Sequence, residues 1–542
     1  MSVGEARHVT PRQLKAMIGD GGELAILDVR EKGVFARGHL FFAVPLPLSR
    51  LELRIAALVP RRATRIVLCD GGEGLAERAA DRLRAFGYTD LAVLVDGVEA
   101  WRQAGYEVFS GVNVPSKAFG EVVEHALGTP RLEPQEVKAR LDAGADMVIL
   151  DSRPLEEYRR MSIPSALDCP GAELVHRAFG LVKSPGTLVV VNCAGRTRSI
   201  IGAQSLINAG LPNRVVALKN GTMGWNLAGL QCDSGRETGA PLPDPAGLAK
   251  AQEAAERVAE RCGVRRLDRA GLERLRAEAD RSLYLLDVRD PEEFAAGHLA
   301  GARSAPGGQL VQATDDYVAT RNARLVLIDS ERVRAPMTAS WLAQMGWDEV
   351  FVTTQDEAGG EMVRGAAASE ILGLETARAA TVGPAALEAM VRRGEVVVVD
   401  VDSSLAYRDG HIPGAWFAIR ARLAASVGKL PEQGLLVFTS RDGVLARLAA
   451  AEAAMLTPRP VACLAGGTAA WRDSGLRVDD GELRFADEPE DEWYRPYDKG
   501  GRGEAAMREY LAWEVDLVGQ VERDGDARFR VVRISRFFGA PK

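Results

Sequence analysis

The chain has 542 residues, too many for one hydrophobic core and enough for roughly three to five domains. Its composition, 46% hydrophobic and 26% charged, is that of a globular protein, and a formal charge of -7 argues against general nucleic-acid binding or adhesion to an anionic membrane. The six cysteines are scattered without a Cys-x-x-Cys pair, Met1 to Gly19 lacks a signal-peptide core and no long apolar run occurs; the reading is a cytoplasmic protein outside the membrane, with no metal and no cofactor.

Taken in order, the chain writes one unit four times. Leu24-Ala25-Ile26-Leu27-Asp28-Val29-Arg30 reads as a buried strand ending in Asp-x-Arg, followed by Gly38-His39-Leu40. The pattern returns at Val148 to Arg153, at Leu285 to Arg289 with Gly297-His298-Leu299, and at Val398 to Asp400 with Gly410-His411-Ile412. A second apolar strand follows at a nearly constant distance: Asp28 to Asp70, Asp151 to Cys193 and Asp287 to Asp329 are each 42 residues apart, and Asp400 to Thr439 is 39. Gly97 and Trp101, Gly221 and Trp225, and Gly467 and Trp471 close three of the units; the third stops at Val350 to Thr354 without them.

The expected boundaries are 1–125, 126–235, 263–375 and 376–482 for the four units, with a linker helix in 236–262 and a tail, 483–542, that packs back on the domains. Leu248 to Arg261 reads as an exposed helical spacer, and Glu504 to Trp513 as a helix in the tail. Continuous apolar strands alternating with helical segments predict an α/β fold: four tandem domains, each a mainly parallel five-stranded sheet with helices on both faces. Ligands in such folds sit at the carboxyl ends of strands.

One strand end carries chemistry. Val189-Val190-Val191-Asn192 runs into Cys193-Ala194-Gly195-Arg196-Thr197-Arg198-Ser199, and a helix follows. A cysteine placed before a helix N-terminus lies among converging backbone N–H groups, which favour an anion. Two nearby guanidinium groups favour the thiolate further. The site therefore suits a nucleophile and an anionic substrate.

These elements together resemble the rhodanese (sulfurtransferase) family, over roughly residues 8 to 480. The resemblance implies that Cys193 takes up a sulfane sulfur from a small-molecule donor such as thiosulfate and passes it, from a persulfide, to cyanide, a small thiol or a protein thiol. It makes Cys193 catalytic and Ala194, Gly195, Arg196, Thr197, Arg198 and Ser199 the substrate-binding loop, with Arg196 and Arg198 as partners for the donor's sulfonate or for a neighbouring carboxylate. The nucleophile position is Asp70 in the first unit, Asp329 in the third and Thr439 in the fourth, so three units are expected to be inactive. Asp70 and Asp329 are expected either to supply an anion to their own loops or to cap the following helix. Two-domain relatives suggest that the first unit pairs with the second, and the third with the fourth. A Cys-x5-Arg phosphatase or arsenate reductase is the rival enzyme, disfavoured because Arg198 makes the spacing Cys-x4-Arg; a sulfur sensor or scaffold is the non-enzymatic rival. His39, His298 and His411 read as structural, and Cys169 and Cys232 as packing rather than resolving thiols.

Overall fold

Every second strand is an unbroken apolar run, which only a sheet covered on both faces can bury. In the computed structural model, which describes residues 6–367, 370–499 and 503–534, the second repeat shows the plan. Its strands are β1 (Arg131–Leu132), β2 (Met147–Asp151), β3 (Leu167–Asp168), β4 (Leu188–Asn192) and β5 (Val215–Leu218), all parallel, in the order β1-β5-β4-β2-β3. β4 is central and buried along its whole length, and Cys193 follows its last residue. The other three repeats lay their own five strands in the same order.

The repeated residues have structural jobs. Asp151 takes Arg153 in a two-pronged pair, Nε to Oδ1 at 2.8 Å and Nη2 to Oδ2 at 2.6 Å, and Arg153 Nη2 also donates to the carbonyl of Met161. Asp28 with Arg30 and Asp287 with Arg289 do the same, reaching the carbonyls of Gly38 and Gly297. His39, His298 and His411 stack on Phe35, Phe294 and Tyr407 and bond backbone carbonyls through Nδ1. Trp101, Trp225 and Trp471 are buried, each donating its indole N–H to a carbonyl six residues on. The glycine of each closing pair has positive φ and presses on the loop after the second strand. A methyl group on Gly97, Gly221 or Gly467 would lie 2.1, 2.2 or 2.1 Å from the carbonyl oxygen of Asp70, Cys193 or Ser440.

That contact corrects the alignment of the fourth repeat. The carbonyl meeting the glycine belongs to Asp70, Cys193 and Ser440, and the N–H groups of Val98, Thr222 and Thr468 donate to the same three oxygens. Ser440, not Thr439, holds the cysteine position; Thr439 matches Asn192, because the fourth strand runs one residue further than its apolar pattern suggests.

The chain divides into two compact units. One comprises residues 1–14, 26–112 and 369–494, hence the first and fourth repeats; the other comprises 15–25, 113–368 and 495–542, hence the second and third. The expected pairing of neighbours, first with second and third with fourth, is thereby replaced by a nested one. In the second unit the helices used below are α1 (Val114–Leu127), α2 (Glu173–Leu181), α3 (Thr197–Asn208), α4 (Pro245–Arg261), α5 (Arg334–Gln344) and α6 (Gly503–Asp524). The helix expected to be an exposed spacer, α4, is instead wedged between α2 and α5. Its Ala251, Ala254, Ala255, Val258 and Ala259 form a buried stripe at helical spacing, and side chains this small let the helices approach closely.

Candidate active site

Cys193 is 2% exposed, at the carboxyl end of β4 and just before α3. Its Sγ–H points at Ser199 Oγ, 3.5 Å away, and that hydroxyl donates to the carbonyl of Arg196 at 2.8 Å. The first N–H groups of a helix have no partner within it, and the four repeats treat theirs differently. In the third repeat Asp329 accepts the N–H groups of Arg332, Val333 and Ala335 at 3.0, 2.9 and 3.0 Å. In the first, Asp70 accepts those of Gly72 and Ala76 at 2.9 and 3.0 Å. In the fourth, Ser440 Oγ accepts that of Ala446 at 3.2 Å, and Asp402 accepts that of Arg441. Counted from Cys193, the positions matching those held by Asp329 are Arg196, Thr197 and Ser199, and none of these N–H groups meets an acceptor among the described residues. The donors that grip a carboxylate in the third repeat are thus without an acceptor in the second, in the loop that carries Cys193.

Both arginines of the loop pair with carboxylates. Arg196 donates from Nε and Nη2 to Glu121 at 2.7 and 2.6 Å, and also to Glu124 and Asn220. Arg198 pairs with both oxygens of Glu157 at 3.0 and 2.9 Å and reaches Gln309. Burial alone would raise the Glu157 carboxyl, but the Arg198 guanidinium overrides it and holds the group at about 2. Of the two partners expected for Arg196 and Arg198, the structure shows the neighbouring carboxylate, in ion pairs that brace the loop.

The remaining loop residues are covered. Ala194 gives its carbonyl to the N–H of Met223 at 2.9 Å. Thr197 Oγ1 donates to Glu514 Oε1 at 3.3 Å. A methyl group on Gly195 would lie 3.1 Å from Glu514 Oε2 and 3.2 Å from Tyr510 Cε1, so α6 lies directly on the loop. Tyr497 OH stands 2.8 Å from Thr222 Oγ1 and 3.5 Å from the carbonyl of Ala194. The thiols of Cys169 and Cys232 are both raised by burial, the latter to about 11, and both cysteines are free.

Sequence reasoning missed Glu121, Glu124, Lys117, Glu157, Tyr497, Tyr510 and Glu514. The first three sit on α1, for which no element was expected; the helical spacing of Phe119, Gly120 and Val123, all facing inward, was the available signal. The tail helix extends to Asp524, well past Trp513, because Leu517 and Val521 continue its buried face.

The model of the rhodanese-like domain matches residues 10–104, 133–228, 271–355 and 383–474. The chain is similar over 97% of its length, at 48% identity and a TM-score of 0.93, to a solved structure of thiosulfate sulfurtransferase from Pseudomonas aeruginosa, whose whole chain is covered. Two curated proteins match over single segments. An HTH-type transcriptional regulator of Mycobacterium tuberculosis is 32% identical over 115 residues, 21% of this chain and 50% of that protein. An uncharacterised protein, YqhL, of Bacillus subtilis is 35% identical over 71 residues, 13% of this chain and 55% of that protein. The chain thus spans about half the length of the curated relatives it matches. No helix among the described residues is long and apolar enough to cross a membrane.

Proposed function

We infer that this chain, which belongs to the rhodanese-like domain family, is a sulfurtransferase that works through a persulfide on Cys193, with thiosulfate as donor. The observation that carries this reading is that the N–H groups of Arg196, Thr197 and Ser199, whose counterparts in the third repeat hold the carboxylate of Asp329, have no acceptor among the described residues and so offer a cradle to an anion. The similarity to a protein named thiosulfate sulfurtransferase supports the choice of donor.

The Cys193 thiolate attacks the outer sulfur of thiosulfate. A new S–S bond forms to Cys193, the S–S bond of the donor breaks, and sulfite leaves with the bonding electron pair. The cradle stabilises the persulfide that results, and the ion pairs of Arg196 and Arg198 keep the loop in the shape that presents it. Cyanide, a small thiol or a protein thiol then takes the outer sulfur and regenerates the thiolate. Asp70, Asp329 and Ser440 cannot carry a transferable sulfur, so a single site turns over.

The test is to incubate the purified full-length protein with thiosulfate, add cyanide and measure thiocyanate, with Cys193→Ala beside it. Thiocyanate from the natural protein alone, with one sulfur added to its intact mass, supports the reading. Equal thiocyanate from both proteins, or no added sulfur on the natural protein, overturns it.

A further inference from the structure

The carboxylate of Glu514 lies over the Cys193 loop with half of its bonding capacity unused. Its Oε1 accepts from Tyr510 OH at 2.9 Å, from Thr197 Oγ1 at 3.3 Å and from Lys117 Nζ at 3.3 Å. Its Oε2 is buried without a hydrogen-bond partner, in a side chain 1% exposed, and stands against Gly195. A carboxylate oxygen held out of water normally has a donor. Each cation around it is engaged: Lys117 is on Oε1, Arg196 on Glu121 and Glu124, and Arg198 on Glu157.

We propose that Glu514 Oε2 is the recognition point for a positively charged sulfur acceptor, a small thiol bearing an amino group. This rests on the reading of Cys193 as the persulfide residue. An ammonium group placed against Glu514 satisfies the bare oxygen, whereas an acceptor bearing a carboxylate would set like charges together in a desolvated place. The phenol rings of Tyr497 and Tyr510 supply aromatic surface at the same spot. The acceptor thiolate attacks the outer sulfur of the protonated Cys193 persulfide. The bond between that sulfur and Sγ breaks as the new S–S bond forms, Cys193 leaves as thiolate, and the acceptor departs as a hydropersulfide with the proton. The sulfane sulfur changes carrier without net oxidation.

The test uses the full-length protein loaded with thiosulfate, with intact mass confirming one added sulfur. Loaded protein then receives cysteamine, mercaptoethanol or mercaptopropionate at equal thiolate concentration, and loss of the added sulfur is timed per loaded molecule. Cysteamine is expected to discharge it about tenfold faster than mercaptoethanol, with mercaptopropionate slowest and the difference lying in KM. Glu514→Gln should bring the three rates together. Should that variant not fold, ethylammonium, which has the amine and no thiol, is expected to raise the KM for cysteamine without lowering kcat. Equal discharge by all three thiols in the natural protein, an equal slowing of all three in Glu514→Gln, or no competition by ethylammonium overturns the proposal while leaving the sulfurtransferase intact. Failure to load any sulfur overturns the reading beneath it instead.

Discussion

The carboxylate of Asp329 accepts the backbone N–H of Ala335, six residues further on, at 3.0 Å. Cys193 and Ser199 hold the same two places in the second repeat. A loop of converging N–H groups that carries no nucleophile must still satisfy those groups, and a short carboxylate does so from within. Asp329→Asn should therefore destabilise the unit containing the second and third repeats by about 1–3 kcal/mol, since one amide oxygen replaces two oxygens serving three donors. A fall in urea midpoint with unchanged sulfur transfer is the expected outcome; unchanged stability would show that the loop does not need its own anion.

Gly221 and Gly467 separate stability from chemistry. A methyl group at either would stand about 2 Å from a loop carbonyl, and both have positive φ. Gly221→Ala moves the carbonyl of Cys193 and should abolish sulfur loading. Gly467→Ala makes the same clash at Ser440 and should lower stability while loading persists. Loss of loading in both would mean that the effect travels through folding rather than through the loop.

His176 links the second and third repeats. Its Nδ1 is 3.2 Å from Glu173 Oε2 and its Nε2 2.5 Å from Glu331 Oε2, with Arg177 and Arg334 pairing the same carboxylates. Burial alone would lower the imidazole, but Glu173 and Glu331 override it and raise it above its ordinary 6.5. A raised histidine contributes stability that is complete below the unfolded value and disappears as pH climbs through the folded one. The urea midpoint of this unit should fall as pH rises above about 6.5, and His176→Gln should flatten that fall. A midpoint equally pH-dependent in the variant would assign the effect elsewhere.

Asp400 titrates in the same direction for a different reason. In the other repeats the equivalent aspartate is neutralised by the arginine two residues on, but the fourth has Asp402 there, and Arg472 reaches the carbonyl of Gly410 in the arginine's stead. Burial, with Asp402 adding to it, pushes Asp400 up from 3.8 to about 7. The unfolded chain gives up this proton first, so stability falls as pH rises from near 4 toward 7. Asp400→Asn, which can keep the bond from the Asp402 N–H, should add about 2 kcal/mol at neutral pH and nothing near pH 4. Equal effects at both would refute the titration.

Much of this was legible in one dimension. The recurrence of Asp-x-Arg, Gly-His and Gly…Trp, each in three of the repeats, shows four copies of one α/β unit, because each element serves contacts inside a single repeat, at nearly constant sequence separations. Cys193 stood out for the same reason: strand, cysteine and helix start are consecutive, so the N–H groups around it follow from local geometry.

What the tertiary structure alone decided lies at long range or within one residue of register. Ser440 rather than Thr439 holds the fourth cysteine position because a glycine some 27 residues later presses on its carbonyl. Arg196 and Arg198 are spent on Glu121, Glu124 and Glu157, and Glu514 arrives over Gly195 from more than three hundred residues away. An apolar pattern reports which face of an element is buried but not which partner buries it. A guanidinium two residues along a loop looks the same in sequence whether it awaits a substrate or already holds a carboxylate. Folding closes those pairs, because a buried charge without a partner costs more than the fold can carry.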